Sequence, residues 1–232
     1  PSVKNIVITG ASQGIGRAIS KTLSHKYNLI AIDIQMPEHH FCKDFFQCDL
    51  GNSEQLKSTI EAIQTKISSL YGLVNNAGIF TNKPLAEQSL EEWEKIIAVN
   101  LRAPYLLSQA FAPLLSASKG HIINIASIRS IMSELGTEAY SASKGGLASL
   151  THALSMSLSG KVSVNSISPG WINTDENYIP SLQEHAWRPS GRVGRPSDIA
   201  ELVAFLLERN DGFITGSDFV VDGGVSRKMV YP

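Results

Sequence analysis

The sequence Thr9-Gly10-Ala11-Ser12-Gln13-Gly14-Ile15-Gly16 lies near the start of this 232-residue chain, between a short apolar run and a helix-like segment. The run Lys4–Thr9 predicts a strand, and Ile15–His25 predicts a helix. Glycines at such a junction allow a tight turn and a close backbone approach to a pyrophosphate, which then meets the helix N-terminus. A glycine-rich turn without a ligand is the alternative. The spacing Gly-xxx-Gly-x-Gly differs from the more usual Gly-x-Gly-xx-Gly.

The alternation of strand-like and helix-like segments continues along the chain. Further predicted strands are Leu29–Asp33, Phe45–Asp49, Gly72–Asn75, His121–Ala126, Val162–Ile167 and Phe219–Val221, and further predicted helices are Ser53–Ser68, Leu90–Leu115, Tyr140–Leu158 and Asp198–Leu207. Ser89-Leu90-Glu91-Glu92 predicts a capping box, and Pro104 and Pro113 should bend or interrupt the helix that follows. Because several strands are almost wholly apolar, helices should cover both faces. The pattern predicts an α/β fold, a Rossmann-like doubly wound parallel sheet of about seven strands.

Composition favours an ordinary globular enzyme or binding protein over other classes. The length predicts one domain over residues 1–232, and the net charge of -1 gives no sign of a nucleic-acid surface. No apolar run reaches membrane-spanning length, and the start of the chain does not resemble a signal peptide, so we expect a cytoplasmic location without membrane partners. Cys42 and Cys48 are expected to be buried thiols, and the six dispersed histidines predict no metal site.

Two aspartates that end predicted strands indicate which dinucleotide the loop binds. Asp33 can accept hydrogen bonds from an adenosine ribose and repel a 2′-phosphate. Gln13 and Ile34 stand at positions where a basic residue would attract that phosphate, so the charge pattern favours NAD, with NADP the less favoured cofactor. Asp33 as a turn or helix-cap residue is the alternative. Asp49-Leu50 can meet the adenine, although Asp49 can also cap the next helix.

Tyr140 and Lys144 form a third informative pattern, together with Ser127 thirteen residues before the tyrosine. On a helix the pair shares one face, one turn apart. An ammonium beside a phenol favours the phenolate, and lowering a tyrosine pKa from about 10 to neutrality requires about 4 kcal/mol. A tyrosine and a lysine at this spacing occur by chance in many helices, so the pair is informative only in context.

In that context the chain resembles the short-chain dehydrogenase/reductase family, of the small single-domain type, nearly from end to end. The resemblance is carried, in order, by the segments Thr9–Gly16, Asn75-Asn76-Ala77-Gly78, Asn100, Asn124-Ile125-Ala126-Ser127, Tyr140-xxx-Lys144, Pro169-Gly170-xxx-Thr174 and Asp222-Gly223-Gly224. The region Gln35–Phe45 departs from the family, because it has no helical period and contains Pro37.

The resemblance implies a role for each matched residue. Tyr140 would be the general acid or base, Lys144 would lower its pKa and hold the nicotinamide ribose, and Ser127 would polarise the substrate oxygen. Asn100 would organise a water that links Lys144 to solvent. Cofactor-binding residues implied by the match are Gly10, Ser12, Gln13, Gly14, Ile15, Gly16, Asp33, Asp49, Leu50, Asn76, Ala77, Gly78, Tyr140, Lys144, Pro169, Gly170, Ile172 and Thr174.

The substrate side is expected to include an irregular lid over residues 173–195. Candidate substrate residues are Arg129, Trp171, Tyr178 and Trp187. Arg129 can meet a carboxylate or hydroxyl, or it can point to solvent. The short, mixed lid predicts a compact polar substrate, such as a polyol, sugar-like alcohol or cyclic diol. With this substrate class, the resemblance implies an NAD-dependent oxidoreductase that interconverts a secondary alcohol and its ketone. An NADPH-dependent 3-oxoacyl thioester reductase and a non-catalytic NAD-binding regulator are the alternatives. The resemblance also implies a homotetramer or homodimer.

Overall fold

The computed structural model describes residues 3–37 and 39–229 as alternating strands and helices. The strands are β1 (Asn5–Thr9), β2 (Asn28–Asp33), β3 (Asp44–Gln47), β4 (Gly72–Asn75), β5 (His121–Ile125), β6 (Ser163–Pro169) and β7 (Asp218–Val221). The helices are α1 (Gly14–Leu23), α2 (Ser53–Lys66), α3 (Leu90–Ile97), α4 (Ala103–Ser118), α5 (Glu138–Ser157), α6 (Leu182–Ala186) and α7 (Pro196–Glu208). The predicted α/β class is confirmed.

All seven strands pair in parallel in the order β3-β2-β1-β4-β5-β6-β7. The chain leaves β1 toward β2 and β3, and then returns to the other side of β1 with β4. In such sheets ligands bind beyond the carboxyl ends of the strands, at the point where the order reverses. The loops that follow β1 and β4 therefore mark the expected site.

Alternate residues of the strands feed two cores, one on each face of the sheet. Ile6 and Ile8 of β1 pack with residues of α1 and α7, whereas Val7 packs on the other face with residues of α2 and α4. All three isoleucine and valine side chains are fully buried. This two-sided burial explains why the strands read as continuous apolar runs.

The long helix predicted over Leu90–Leu115 is two helices joined by a π-helical turn at Ala98–Arg102. Pro104 has no N–H to offer the carbonyl four residues back, and the amide of Ala103 instead bonds the carbonyl of Ala98, five residues back. The predicted interruption at Pro104 is confirmed. Pro113 lies inside α4, which continues to Ser118, so Pro113 does not interrupt the helix. The capping box at Ser89 and Glu92 is confirmed.

Other differences from the predicted elements are small. Residues 34–37 and 39–43 contain no helix, as the missing helical period indicated. β3 ends at Gln47, two residues before the predicted end at Asp49. The lid was expected to be irregular throughout but contains α6, which begins with a capping box between Ser181 and Glu184. Pro1, Ser2, Glu38 and residues 230–232 lie outside the described residues.

Cys42 and Cys48 are buried free thiols, as predicted. Over residues 3–37 and 39–229, no cluster of three or more acidic, histidine or cysteine side chains could hold a metal ion. None of the helices in the same residues is both long and apolar enough to cross a membrane.

His121 opens β5 at the end of the sheet opposite the expected site, where it is 3% exposed. Its Nε2 lies 3.2 Å from the Tyr71 hydroxyl. Burial, with a smaller contribution from the Lys4 charge, lowers the pKa of His121 to about 4. The folded protein therefore holds this imidazole neutral while the unfolded chain protonates it below its ordinary pKa.

This burial predicts a loss of stability in acid. Between pH 6.5 and about 4 the unfolded chain binds the additional proton, so the free energy of unfolding falls with pH, by up to about 3 kcal/mol for this group. Urea unfolding at pH 5 and 7.5 should show a smaller difference for His121→Phe, which keeps the ring against Tyr71, than for the wild type. The exposed His25, changed to Gln, is the control. An equal difference for wild type and His121→Phe would contradict this account.

Candidate active site

Thr9, the last residue of β1, joins the loops that follow β1 and β4. Its hydroxyl oxygen accepts hydrogen bonds from the backbone amides of Asn76 and Ala77, both 3.0 Å long. The Asn76 side-chain amide donates to the carbonyl oxygens of Thr9 and Gly10, at 3.0 and 2.9 Å. The glycine loop and the segment Asn75–Gly78 are therefore one bonded unit at the reversal point of the sheet.

Two glycines are required by how closely this unit is packed. Gly10 has a φ of +66°, and a Cβ there would lie 2.8 Å from the Ala77 Cα. A Cβ on Gly16 would lie 1.9 Å from the Gly10 carbonyl oxygen. No side chain fits at either position without opening the loop.

Gly16→Ala should therefore destabilise the protein by about 3 kcal/mol, because backbone must move to relieve the overlap. Gly145→Ala is the matched control, since its Cβ would meet only the Ser130 carbonyl oxygen at 3.9 Å. Within α5 this change should stabilise the protein by about 0.5–1 kcal/mol. Denaturant unfolding of both variants measures the difference. Similar stability of the two would show that the loop adjusts easily.

A cleft of about 1400 Å³ opens beside this loop unit. The predicted cofactor residues that line it are Gly10, Ser12, Gln13, Gly14, Ile15, Asp33, Asp49, Leu50, Asn76, Ala77, Gly78 and Thr174. The other predicted cofactor residues do not line the cleft. Gly16, Pro169, Gly170 and Ile172 are not in the cleft wall: Gly16 supports the turn, Gly170 packs against Asp222, and Ile172 packs against Gly194. Tyr140 and Lys144 are not in the wall either, and the cofactor-binding role of these six residues stays a prediction.

The carboxylate of Asp33 lies at the cleft beside the glycine loop. Its Oδ2 accepts from the Ser12 amide at 2.9 Å, and its Oδ1 accepts from the Gln35 amide at 3.3 Å. Asp33 therefore presents a fixed negative charge where the ribose of a dinucleotide would lie. Asp49 does not cap α2, because Asn52 does so with bonds to the amides of Glu54 and Gln55.

α5 positions Tyr140 and Lys144 near Ser127, which follows β5. Lys144 is 3% exposed and its Nζ donates to the Ile125 carbonyl oxygen at 2.7 Å. The same Nζ lies 5.6 Å from the centre of the Tyr140 ring. A Cβ on Gly78 would lie 3.4 Å from this Nζ, so the cleft wall adjoins the lysine directly. The predicted trio is therefore assembled next to the cleft.

Burial is the largest influence on the pKa values of Tyr140 and Lys144 when no ligand is bound. Burial raises the pKa of the Tyr140 phenol, while a hydrogen bond with Ser127 and the charge of Arg129 lower it by less. Burial alone lowers the pKa of Lys144 to about 8. Desolvation of the phenol thus outweighs these two favourable interactions, and the predicted lowering of the tyrosine pKa by Lys144 stays a prediction.

Asn100 lies in the π-helical turn and is fully buried. Its side chain exchanges two hydrogen bonds with the backbone of Ile79, each 2.9 Å long, and donates to the Ser143 hydroxyl at 3.0 Å. Asn100 therefore ties the segment after Gly78 to α5. Its predicted link to Lys144 through a water stays a prediction.

The candidate substrate residues separate into three groups. Arg129 forms an ion pair with Glu134 and acts on Tyr140 through its charge. Trp171 contacts Tyr178, with ring centres 6.0 Å apart. Trp187 instead packs against Lys228, whose Nζ lies 4.4 Å above its ring, so the structure does not join it to the other aromatic residues.

Several residues near the site carried no sequence signal. Phe80 packs edge-on against the Tyr140 ring, with centres 5.0 Å apart. His39, Phe41 and Val99 line the cleft. Phe80 follows the Asn75–Gly78 segment, and this adjacency could have identified it, whereas His39 and Phe41 lie in a stretch with no periodic pattern.

Comparison with known proteins agrees with this geometry. The family model described as enoyl-(acyl carrier protein) reductase matches residues 10–226. A Thermotoga maritima protein described as an uncharacterized oxidoreductase is 41% identical, covering 98% of each chain. The 3-oxoacyl-[acyl-carrier-protein] reductase FabG of Vibrio cholerae is 30% identical, over 96% of this chain and 97% of its own.

A solved structure of 4-hydroxyisoleucine dehydrogenase complexed with NADH aligns with a TM-score of 0.89 and 35% identity, covering 97% of this chain and 100% of that one. The fold, the glycine loop at the sheet reversal and these matches define an oxidoreductase. The chain belongs to the short-chain dehydrogenase/reductase family.

Proposed function

We propose that this protein oxidises a polar secondary alcohol to its ketone, or catalyses the reverse reduction, with NAD as the cofactor. The observation that carries the proposal is the Tyr140–Lys144–Ser127 group beside a cleft whose wall includes Asp33. Bound NAD would accept a hydride from the carbinol carbon. The similar protein of known structure with bound NADH is a 4-hydroxyisoleucine dehydrogenase, and its name supports an alcohol as the reduced substrate.

The chain's own residues account for the proton and for orientation. Tyr140 takes the hydroxyl proton, and Ser127, which hydrogen-bonds with it, holds the substrate oxygen. Lys144, whose Nζ lies beside Gly78 at the cleft wall, would contact the nicotinamide ribose. A positive charge on the ring of oxidised nicotinamide would add to that of Lys144 in favouring the phenolate, which the protein groups alone do not favour.

Asp33 supports NAD over NADP. A 2′-phosphate on the adenosine ribose would place two negative charges against the fixed carboxylate, and neither Gln13 nor Ile34 offers a compensating cation. Wild-type protein should bind NADH at least about 10-fold more tightly than NADPH, a difference of about 1.4 kcal/mol.

The double change Asp33→Ser with Ile34→Arg should reverse this preference, because it removes the repulsion and supplies a cation. Titrations with NADH and NADPH, followed by reduced-cofactor fluorescence, measure both affinities. Asp49→Ser is the control, because it also removes a cleft carboxylate but not the one beside the loop. Tighter NADPH binding by the wild type would overturn the cofactor assignment.

A 3-oxoacyl thioester reductase that uses NADPH is the alternative enzyme function, and the similarity to the 3-oxoacyl-[acyl-carrier-protein] reductase FabG supports the thioester substrate. The same titration separates it from the proposal, and turnover of an acetoacetyl thioester with NADPH would favour it. A non-catalytic NAD-binding regulator would bind the cofactor without turning over any alcohol or ketone. Assembly as a homotetramer or homodimer and a cytoplasmic location stay predictions.

A further inference from the structure

Arg129 lies at the edge of the catalytic group without belonging to it. It stands two residues after Ser127 in a single 3₁₀ turn, Ile128–Ser130, and its backbone amide donates to the Ser127 hydroxyl oxygen at 3.1 Å. Its side chain is 18% exposed. The positive charge lies close enough to the Tyr140 phenol to lower its pKa. The short turn therefore places Arg129 next to Ser127, with a side chain that is mostly buried.

Most N–H donors of this guanidinium have no hydrogen-bond partner among the described residues. An arginine presents five N–H donors. Within the described residues, the ion pair of Arg129 Nη2 with Glu134 Oε2, at 2.6 Å, is the only polar contact of its side chain. The remaining donors are therefore available to a further acceptor.

Glu134 is a partner that a ligand can replace. Its side chain is 65% exposed, on a stretch whose neighbours Ser133 and Leu135 are also exposed. Ion pairs with an exposed carboxylate contribute about 0–1 kcal/mol. Arginine matches a carboxylate with two parallel hydrogen bonds, which is stronger. A substrate carboxylate that made this contact would gain more than the loss of Glu134 costs.

We propose that Arg129 binds a carboxylate of the substrate, which makes the alcohol a hydroxy acid, with Glu134 as the internal carboxylate that gives way. The proposal rests on the proposed function, because it names the substrate class of the same site. The carboxylate takes no part in bond making: the carbinol C–H and O–H bonds break as described above. Arg129 would thus set specificity.

The test compares racemic lactate, 3-hydroxybutyrate and 4-hydroxypentanoate with their primary amides, which have the same shape without the charge. One charged hydrogen-bonded contact contributes about 1.5–3 kcal/mol, so kcat/KM for at least one acid should exceed that for its amide by about 10- to 150-fold. Arg129→Gln should remove this preference; an effect through the Tyr140 pKa would lower kcat/KM for acid and amide alike, so the acid-to-amide ratio is the quantity compared. Thermal unfolding confirms that each variant is folded.

Glu134→Gln provides the discriminating control. If Glu134 competes with the substrate, this variant should raise kcat/KM for the acid, opposite in direction to Arg129→Gln. An ion pair that only stabilises the loop would make both variants change activity in the same direction. That result, or an absence of any acid preference in the wild type, would overturn the proposal.

Calorimetric titration of the same acids with NADH present makes the comparison without turnover. Acids should bind the wild type more tightly than Arg129→Gln, and equal binding would contradict the role of Arg129. Acid binding that depends on Arg129 in a protein that oxidises none of the alcohols would leave this inference standing and refute the proposed function. Turnover of the amides or neutral diols without acid preference would do the reverse.

Discussion

Replacing Tyr140 by phenylalanine is expected to lower kcat for alcohol oxidation by about 10²–10⁴-fold, the contribution of a positioned acid or base. The change removes only the hydroxyl that exchanges the proton. The ring, which packs edge-on against Phe80, is retained, so the fold and the cleft should be preserved. NADH fluorescence titration should give an affinity within a few-fold of wild type.

Tyr105→Phe is the control, because this tyrosine is exposed on α4 and its hydroxyl contacts only Gln109, at 3.5 Å, among the described residues. It should retain full activity. Survival of full activity in Tyr140→Phe would show that another group moves the proton.

Replacing Lys144 by methionine is expected to lower kcat by about 10²–10³-fold, comparable to the loss of one preorganised donor or charge. Lys144 supplies a positive charge 5.6 Å from the centre of the Tyr140 ring, and its amine lies beside the cleft wall at Gly78. Both contributions disappear with methionine, which fills similar space.

Lys144→Met is expected to lose activity without losing stability. The pKa of Lys144 is about 8 in the folded protein and ordinarily 10.5, so at pH 7 folding holds a buried charge at a cost of about 3 kcal/mol. That cost is relieved as pH rises from about 8 to 10.5, where the unfolded chain binds more protons. Methionine removes it but also loses the bond to the Ile125 carbonyl, worth about 1–3 kcal/mol.

Lys144→Met should therefore be at least as stable as wild type at pH 7, measured by thermal unfolding, although it is nearly inactive. Lys57→Met, at an exposed position of α2, should change neither property. Loss of both activity and stability would indicate that Lys144 mainly supports the fold.

Elements whose pattern is local and strong could be predicted from the sequence. β4 has the predicted bounds Gly72–Asn75 and consists of four buried residues. The glycine loop was also predictable, since few backbones other than a tight turn use glycine at positions 10, 14 and 16.

Features that depend on distant contacts could not be predicted. The π-helical turn at Ala98–Arg102 combines a local cause, Pro104, with the bonds between Asn100 and Ile79, which lie 21 residues apart. α6 has only five residues, too few for a helical period, although Ser181 and Glu184 have the spacing of a capping box.

The site was predictable in its residues and less so in its energetics. Tyr140, Lys144 and Ser127 come together as the motifs indicated, but their spacing contains no information on burial. Desolvation is what raises the Tyr140 pKa and lowers that of Lys144. Phe80 and the ion pair of Arg129 with Glu134 likewise depend on how loops meet in space.

The most direct measurement is the transfer of a carbinol deuterium to NAD. Purified protein is incubated with NAD and secondary alcohols labelled with deuterium at the carbinol carbon, and the mass of the NADH formed is determined. The account predicts NADH that carries one deuterium, formed about 10²–10⁴-fold more slowly by Tyr140→Phe than by the wild type. NAD binding without any deuterium transfer from hydroxy acids, polyols or cyclic diols would contradict it.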